Sequence, residues 1–181
     1  MGFLTLALQF GFPHKNYIQH DHPVQQKVQK VLEEVCDVDL SQSQPAIDGC
    51  SVPTWAIPLK NLAMGLARWG SGILLNPRIV KASRLISEAM VEHPYLVAGQ
   101  GRCCTRVLNH FKGKVLVKTG AEGVYCAAFP ELGLGLALKC HDGHKRASEA
   151  ALVGIIQHLG LIDDDAAELL SPHEIRNHNK L

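Results

Sequence analysis

The stretch VLVKTGAEGVYC, residues 115–126, constrains this chain more than any other. An apolar run meets a Lys-Thr-Gly triplet and leaves through a second apolar run, a pattern that predicts a strand, a tight turn and a second strand. On such a strand Val115 and Val117 share one face while Leu116 and Lys118 share the other. Lys118 therefore follows an apolar neighbour instead of standing in a charged run. Desolvation disfavours the charged form of a lysine, and an amine kept partly neutral takes a proton from a hydroxyl nucleophile. Thr119 adds a hydroxyl beside it, and Gly120 admits a ligand or another backbone at close range. The plain alternative is a strand-end lysine reaching into water, and the triplet alone does not decide between the two.

Composition narrows the classes of function. With 181 residues, 46% of them hydrophobic, the chain suits one globular domain over residues 1–181 with a substantial core. Lys+Arg (18) nearly balances Asp+Glu (17) and there is no basic cluster, so neither nucleic acid nor an anionic membrane is favoured as a partner. The six cysteines are scattered without CxxC spacing, and the adjacent Cys103 and Cys104 make no disulfide framework, which points to a reducing cytoplasm. The opening MGFLTLALQFGF has no basic residue before it and no small-residue cleavage site after it, and it is too short to span a bilayer. Leu6 stands where a myristoylation pattern needs Ser or Thr.

Along the chain, residues 2–12 are apolar except Thr5 and Gln9, which predicts a helix buried on most sides and ended by Pro13. No capping residue precedes it, so the helix is expected to begin outside this sequence. Asp21 near a cap and Pro23 in a first turn open the next helix, with Val24, Val28, Val31, Leu32 and Val35 as its apolar stripe. His20 and His22 flank Asp21 as exposed residues of a polar approach. The stretch AIDGCSVPTWAIPLKNLA then places an irregular loop among apolar neighbours. Asp48 there suits a substrate ammonium group, and Cys50 is either a soft metal ligand or a small buried hydrophobe. Pro58 opens a helix through Leu62 and Leu66 that ends at Gly70. Asn76 and Pro77 start another, with Ile79, Ser83, Ile86 and Met90 inward, stopped by His93 and Pro94.

Gly99 and Gly101 form a flexible corner, and Arg102 beyond them is either a candidate clamp for a carboxylate or a plain surface residue. A short helix over 105–111 delivers the chain to the Lys118 strand. Strands over 123–129 and 133–139 complete an antiparallel meander, and a helix over 144–159 lays Ala147, Ala151, Ile155 and Leu159 on the sheet, closed by Gly160. His141 and His144 lie in a loop, open to metal binding or to a helix approach. A last turn of helix starts near Asp163, and the residues after Pro172 are expected to be loose.

Taken together, DGCSVPTWAIPLKNLA, VAGQGRCCT and VKTGAEGV resemble the asparaginase II family, the rhizobial-type L-asparaginases, over nearly the whole chain. The resemblance implies an α+β fold, an antiparallel sheet with packed helices of the serine β-lactamase and glutaminase kind. It implies that Lys118 is a catalytic lysine assisting a serine nucleophile, with Thr119, Gly120, Asp48 and Arg102 on the substrate and Cys50 as one zinc ligand. Where the family ordinarily has an acidic residue before the threonine, this chain has Cys104 before Thr105. The family's N-terminal serine-lysine pairs and its CSGKH motif are not in these residues, and Met1 falls where that motif would have ended.

The expectation is therefore an N-terminally truncated, C-terminal portion of an asparaginase. When complete, it hydrolyses L-asparagine to L-aspartate and ammonia through an acyl-enzyme. The missing zinc ligands and nucleophile would come from an N-terminal half. The alternative is a non-catalytic remnant that binds an amino acid or a protein partner, a second copy included. A β-lactamase shares the Lys-Thr-Gly strand, but the AIDGCSVPT loop does not suit one.

Overall fold

A computed structural model of the chain describes residues 2–172, in which helices alternate with two small antiparallel sheets. The residues separate into two units, Met1–Gly65 and Leu66–Leu181. The expected loose tail lies outside the described residues.

In the first unit, α1 (Gly2–Phe10) stops at Gly11, not at Pro13. Gly11 takes a left-handed conformation (φ 66°), Gly11 N donates to Leu8 O at 3.2 Å, and Phe12 N donates to Ala7 O at 2.8 Å. This crossed pair satisfies carbonyls that the end of a helix leaves open. The helix is not buried on most sides: Ala7 alone is buried and Leu8 is 76% exposed. Its apolar residues run round the whole circumference, while the face at Ala7 is the one that is buried. Phe10 stacks on Phe12, and the ammonium of Lys27 sits 4.1 Å above the Phe10 ring.

The cap of α2 (Pro23–Cys36) is His22, whose Nδ1 accepts from Val24 N at 3.2 Å; Asp21 does not cap it. Capping draws His22 inward, so it is buried, against the expectation of an exposed histidine. The buried edge of α2 is narrower than the valine stripe, since Val24, Gln25 and Cys36 are buried while Val31 is exposed. Asn61 closes the other end, its Nδ2 donating to Cys36 O (3.2 Å) and Asp37 O (2.8 Å). Then β1 (Ala46–Ile47) and β2 (Pro53–Thr54) pair as a small hairpin, and α3 (Leu59–Ser71) follows. Gly65 lets α3 approach α2, because a Cβ there would stand 2.8 Å from Cys36 Sγ.

In the second unit, Asn76 caps α4 (Pro77–Glu92), its side-chain oxygen accepting from Arg78 N and Ile79 N at 3.0 and 3.1 Å. Ser83 is the buried residue of α4, its hydroxyl donating to Val80 O at 2.9 Å, and Ile86, expected inward, is 53% exposed. After α5 (Pro94–Ala98) and α6 (Cys103–Phe111) come β3 (Leu116–Thr119), β4 (Val124–Phe129), a 3-10 turn (Pro130–Leu132) and β5 (Leu134–Lys139). The strands form the expected meander in the order β3-β4-β5, with Lys118 opposite Cys126 and Val124 opposite Lys139. Val115, Leu116 and Val117 are all buried, so both faces of β3 are covered up to Lys118.

The closing helix, α7 (Lys145–His158), lies on the sheet with a face one residue further along than expected. Ser148, Leu152, Val153 and Ile156 are buried, while Ala151 is exposed. Ser148 tolerates burial because its hydroxyl donates to Lys145 O at 3.0 Å, and turning the helix this way buries the larger Leu152 and Ile156. Gly160 ends it as expected. The last helix, α8 (Asp164–Leu170), is capped by Asp163, which accepts from Ala166 N at 2.9 Å.

Gly70 does not end α3; Gly72 does, with φ 74° and its N–H on Arg68 O at 2.7 Å. Gly70 instead lets the helix touch the sheet, since a Cβ there would lie 2.9 Å from Ala128 Cβ. Gly70→Ala is expected to lower stability by about 1–3 kcal/mol through overpacking. Gly154→Ala, in the open middle of α7, should raise it by up to about 1 kcal/mol. Urea unfolding midpoints of the two variants check the pair of signs.

Candidate active site

Lys118 is an exposed residue at the end of a strand that is otherwise buried. Its Nζ donates to Thr119 O at 2.8 Å. The desolvation expected from its apolar neighbours is therefore not found, although the side chain borders an apolar cavity of about 440 Å³ lined by Leu66, Trp69, Met90, Val97 and Leu116. The aliphatic stem is the part that suits such a wall.

Thr119 is half-buried, and its hydroxyl donates to Gly120 O at 3.3 Å. Gly120 is close to its own turn: N donates to Val124 O at 2.8 Å, and an added Cβ would meet Val124 Cβ at 3.0 Å. The close backbone approach read from the sequence is thus met by the neighbouring strand.

Behind this strand end stand residues to which the sequence assigned no role at the site. Thr119 N donates to Cys104 Sγ at 3.3 Å, and the same sulfur pairs with Tyr125 Oη at 2.9 Å. Cys103, Cys104 and Tyr125 are buried together. Burial pushes the Cys103 thiol up to about 11, partly opposed by its hydrogen bond to Tyr125, and burial likewise raises the Tyr125 phenol, with the two thiols adding to it. No short-range pattern connects positions 21 residues apart, and only the folded meander brings them into contact.

The glycine corner before α6 is tied down. Thr105 Oγ1 donates to Gly99 O at 2.7 Å and to Pro94 O at 3.3 Å, and Arg106 Nη1 donates to Gly101 O at 2.7 Å. Arg102 caps α6 through its backbone, leaving the side chain exposed. It lines a cavity of about 690 Å³ with Arg106, Lys145, Arg146, Glu149 and Glu168. That is a different cavity from the one beside Lys118.

Asp48 and Cys50 belong to the first unit, at the tip of the β1-β2 hairpin. Ser51 N donates to Asp48 O at 2.8 Å, and Gly49 N donates to Asp48 Oδ1 at 2.8 Å. The Cys50 thiol donates to Asp48 Oδ2 at 3.4 Å, and both residues are exposed. The loop is therefore a regular turn at the surface, not an irregular one in the core, because its amides are satisfied locally. Cys50 is accordingly not a buried hydrophobe. A thiolate and a carboxylate are donors that zinc accepts, but tetrahedral zinc takes four. Among the described residues no group of three or more His, Cys, Asp or Glu side chains is placed to hold a metal. The pair by itself does not make a zinc site, and no chemical step follows through one.

An amine at a strand end, a carboxylate at a hairpin tip and an exposed guanidinium on an anchored loop can serve proton transfer, ammonium binding and carboxylate binding respectively. The family model for L-asparaginase II matches residues 1–181, and the chain belongs to that family. No curated protein matches the sequence. Membership suggests an asparaginase-like amidohydrolase with L-asparagine as substrate.

Proposed function

We propose that this chain works in the hydrolysis of the side-chain amide of L-asparagine, with Lys118 as the amine that moves the proton. The observation that carries the reading is the placement of Lys118 at the exposed end of a buried strand, its amine hydrogen-bonded to the Thr119 carbonyl, in a chain of this family. For this the lysine must first give up a proton; the attacking hydroxyl then passes its own proton to the amine as its oxygen bonds to the amide carbon. The amine then returns the proton to the departing nitrogen, which leaves as ammonia. Water repeats the sequence on the acyl ester and releases L-aspartate. The hydroxyl is assigned to no serine of this chain; the family resemblance attributes it to a serine-lysine segment.

In this reading Asp48 suits the substrate ammonium, Arg102 a carboxylate, and Thr119 and Gly120 stand beside Lys118, each role being carried over from the family resemblance. Cys50 is kept as one zinc ligand whose partners lie beyond the Asp48 and Cys50 pair. The fold is proposed to be of the serine β-lactamase and glutaminase kind, for which the meander with α7 laid on it is the support. The test is ammonia release from L-asparagine by the purified chain, alone and with a segment carrying the family's serine-lysine and CSGKH motifs supplied in trans. Ammonia in either arm supports the reading. Binding of L-asparagine without turnover in both arms turns it to the non-catalytic alternative.

A further inference from the structure

Thr119 is the last residue of β3, which is an edge strand. Gly120 N points across to β4, donating to Val124 O, so by the alternation of an antiparallel ladder the Thr119 N–H points to the free side. An amide there that is shielded from water needs an acceptor. Cys104, the second residue of α6, supplies it through its sulfur at 3.3 Å. The sulfur is fixed in turn by Tyr125 Oη at 2.9 Å, and Tyr125 stands opposite Thr119 in the sheet. With Cys104 1% exposed and Tyr125 0% exposed, neither exchanges its partner for water. The other end of Thr119, its carbonyl, receives the Lys118 ammonium at 2.8 Å.

We infer that Cys104 is a positioning residue for Lys118: its sulfur pins the Thr119 amide, and the Thr119 carbonyl then fixes where the amine rests. The catalytic meaning of this clamp rests on the reading of Lys118 given above; the clamp itself does not. Helix α6 thereby sets the end of a strand it does not pair with. A thiol is a weak acceptor, so the contact depends on the packing that holds Tyr125 and Cys104 together.

Two rates measured on the chain test it: Thr119 amide hydrogen exchange by NMR, and acetylation of Lys118 by acetic anhydride, read by peptide mass spectrometry. In Cys104→Ala, Thr119 should exchange about tenfold or more faster. Lys118 should label severalfold faster, while the Ala127 amide and the Lys139 label stay as they were. Cys103→Ala removes a thiol that touches Tyr125 and makes no bond to Thr119, and should leave both rates unchanged. Unchanged rates in a folded Cys104→Ala, or equal effects from Cys103→Ala, overturn the inference.

Should Cys104→Ala fail to fold, Cys104→Val, close in size and without an acceptor, carries the same comparison. It should raise both rates as the alanine does, and no rise overturns the clamp. In the ammonia assay, a lower kcat at unchanged KM for Cys104→Ala extends the clamp to catalysis. Shifted rates in a protein whose parent releases no ammonia in either arm of that assay sink the role of Lys118 and leave the clamp standing.

Discussion

Replacing Lys118 with alanine is expected to lower kcat for asparagine hydrolysis by about 10²–10⁴-fold, the range that a positioned proton-transfer group contributes. KM should change little, because the amine acts on the proton in flight and not on the bound amino acid. Lys118→Arg should be nearly as damaging: a guanidinium keeps its proton at any working pH and cannot receive one from a hydroxyl. Stability should stay within about 0.5 kcal/mol of the parent in both variants, since the side chain is exposed and its one bond goes to a backbone carbonyl. Ammonia release and urea unfolding, measured on the same preparations in the active assembly, separate the two effects. An arginine variant that keeps its turnover would remove Lys118 from the reaction.

The second large effect is a loss of stability in alkali. The Cys103 thiol lies at about 11 in the folded chain against 9.0 for an ordinary cysteine, chiefly because burial disfavours the thiolate. The folded protein thus holds this proton more tightly than the unfolded chain does. Its contribution is fully present below pH 9, falls as pH rises from 9 towards 11 while only the unfolded chain sheds the proton, and is gone above 11. Two pH units correspond to about 3 kcal/mol. The Tyr125 phenol is raised from its ordinary value of 10.0 and acts in the same direction once the pH passes that value. Unfolding midpoints in urea at pH 8 and pH 10.5 should show the drop, and Cys103→Ala should lessen it. A parent protein equally stable at both pH values would contradict the burial of these groups.

Much of the fold was legible because its punctuation is local. Asn76 followed by Pro77, Asp163 before α8 and Gly160 after α7 act within a single turn, and the structure has each doing what its residue type dictates. The faces of the helices were harder. In α7 the choice between alanines at 147 and 151 and the register through Ser148, Leu152 and Ile156 depends on what the sheet offers opposite, and only the fold contains that. The same is true of α1, where an apolar circumference says nothing about how many sides will find a neighbour. His22 outcompeted Asp21 as a cap because the backbone turn, not the residue type, decides which side chain reaches Val24 N.

At the site, the triplet located the strand end and its lysine, and of the two readings it left open, the strand-end lysine reaching into water is the one the structure has. The Asp-Gly signal located the turn that joins Asp48 to Cys50, yet surrounding apolar letters wrongly suggested burial. Cys104 and Tyr125 left no trace in the sequence beyond an unexpected residue before Thr105. A sulfur meeting a phenol and an edge amide is a product of tertiary packing alone.

The bonds from Thr105 and Arg106 to the glycine corner bear on selectivity. Two residues with φ of 95° and 70° would ordinarily leave the segment wandering, and here their carbonyls are already spoken for. The ledge under Arg102 is therefore set before any anion arrives. In the proposed reading only the guanidinium's own rotamers remain to be frozen on binding, and discrimination between carboxylates would come from reach rather than from loop closure.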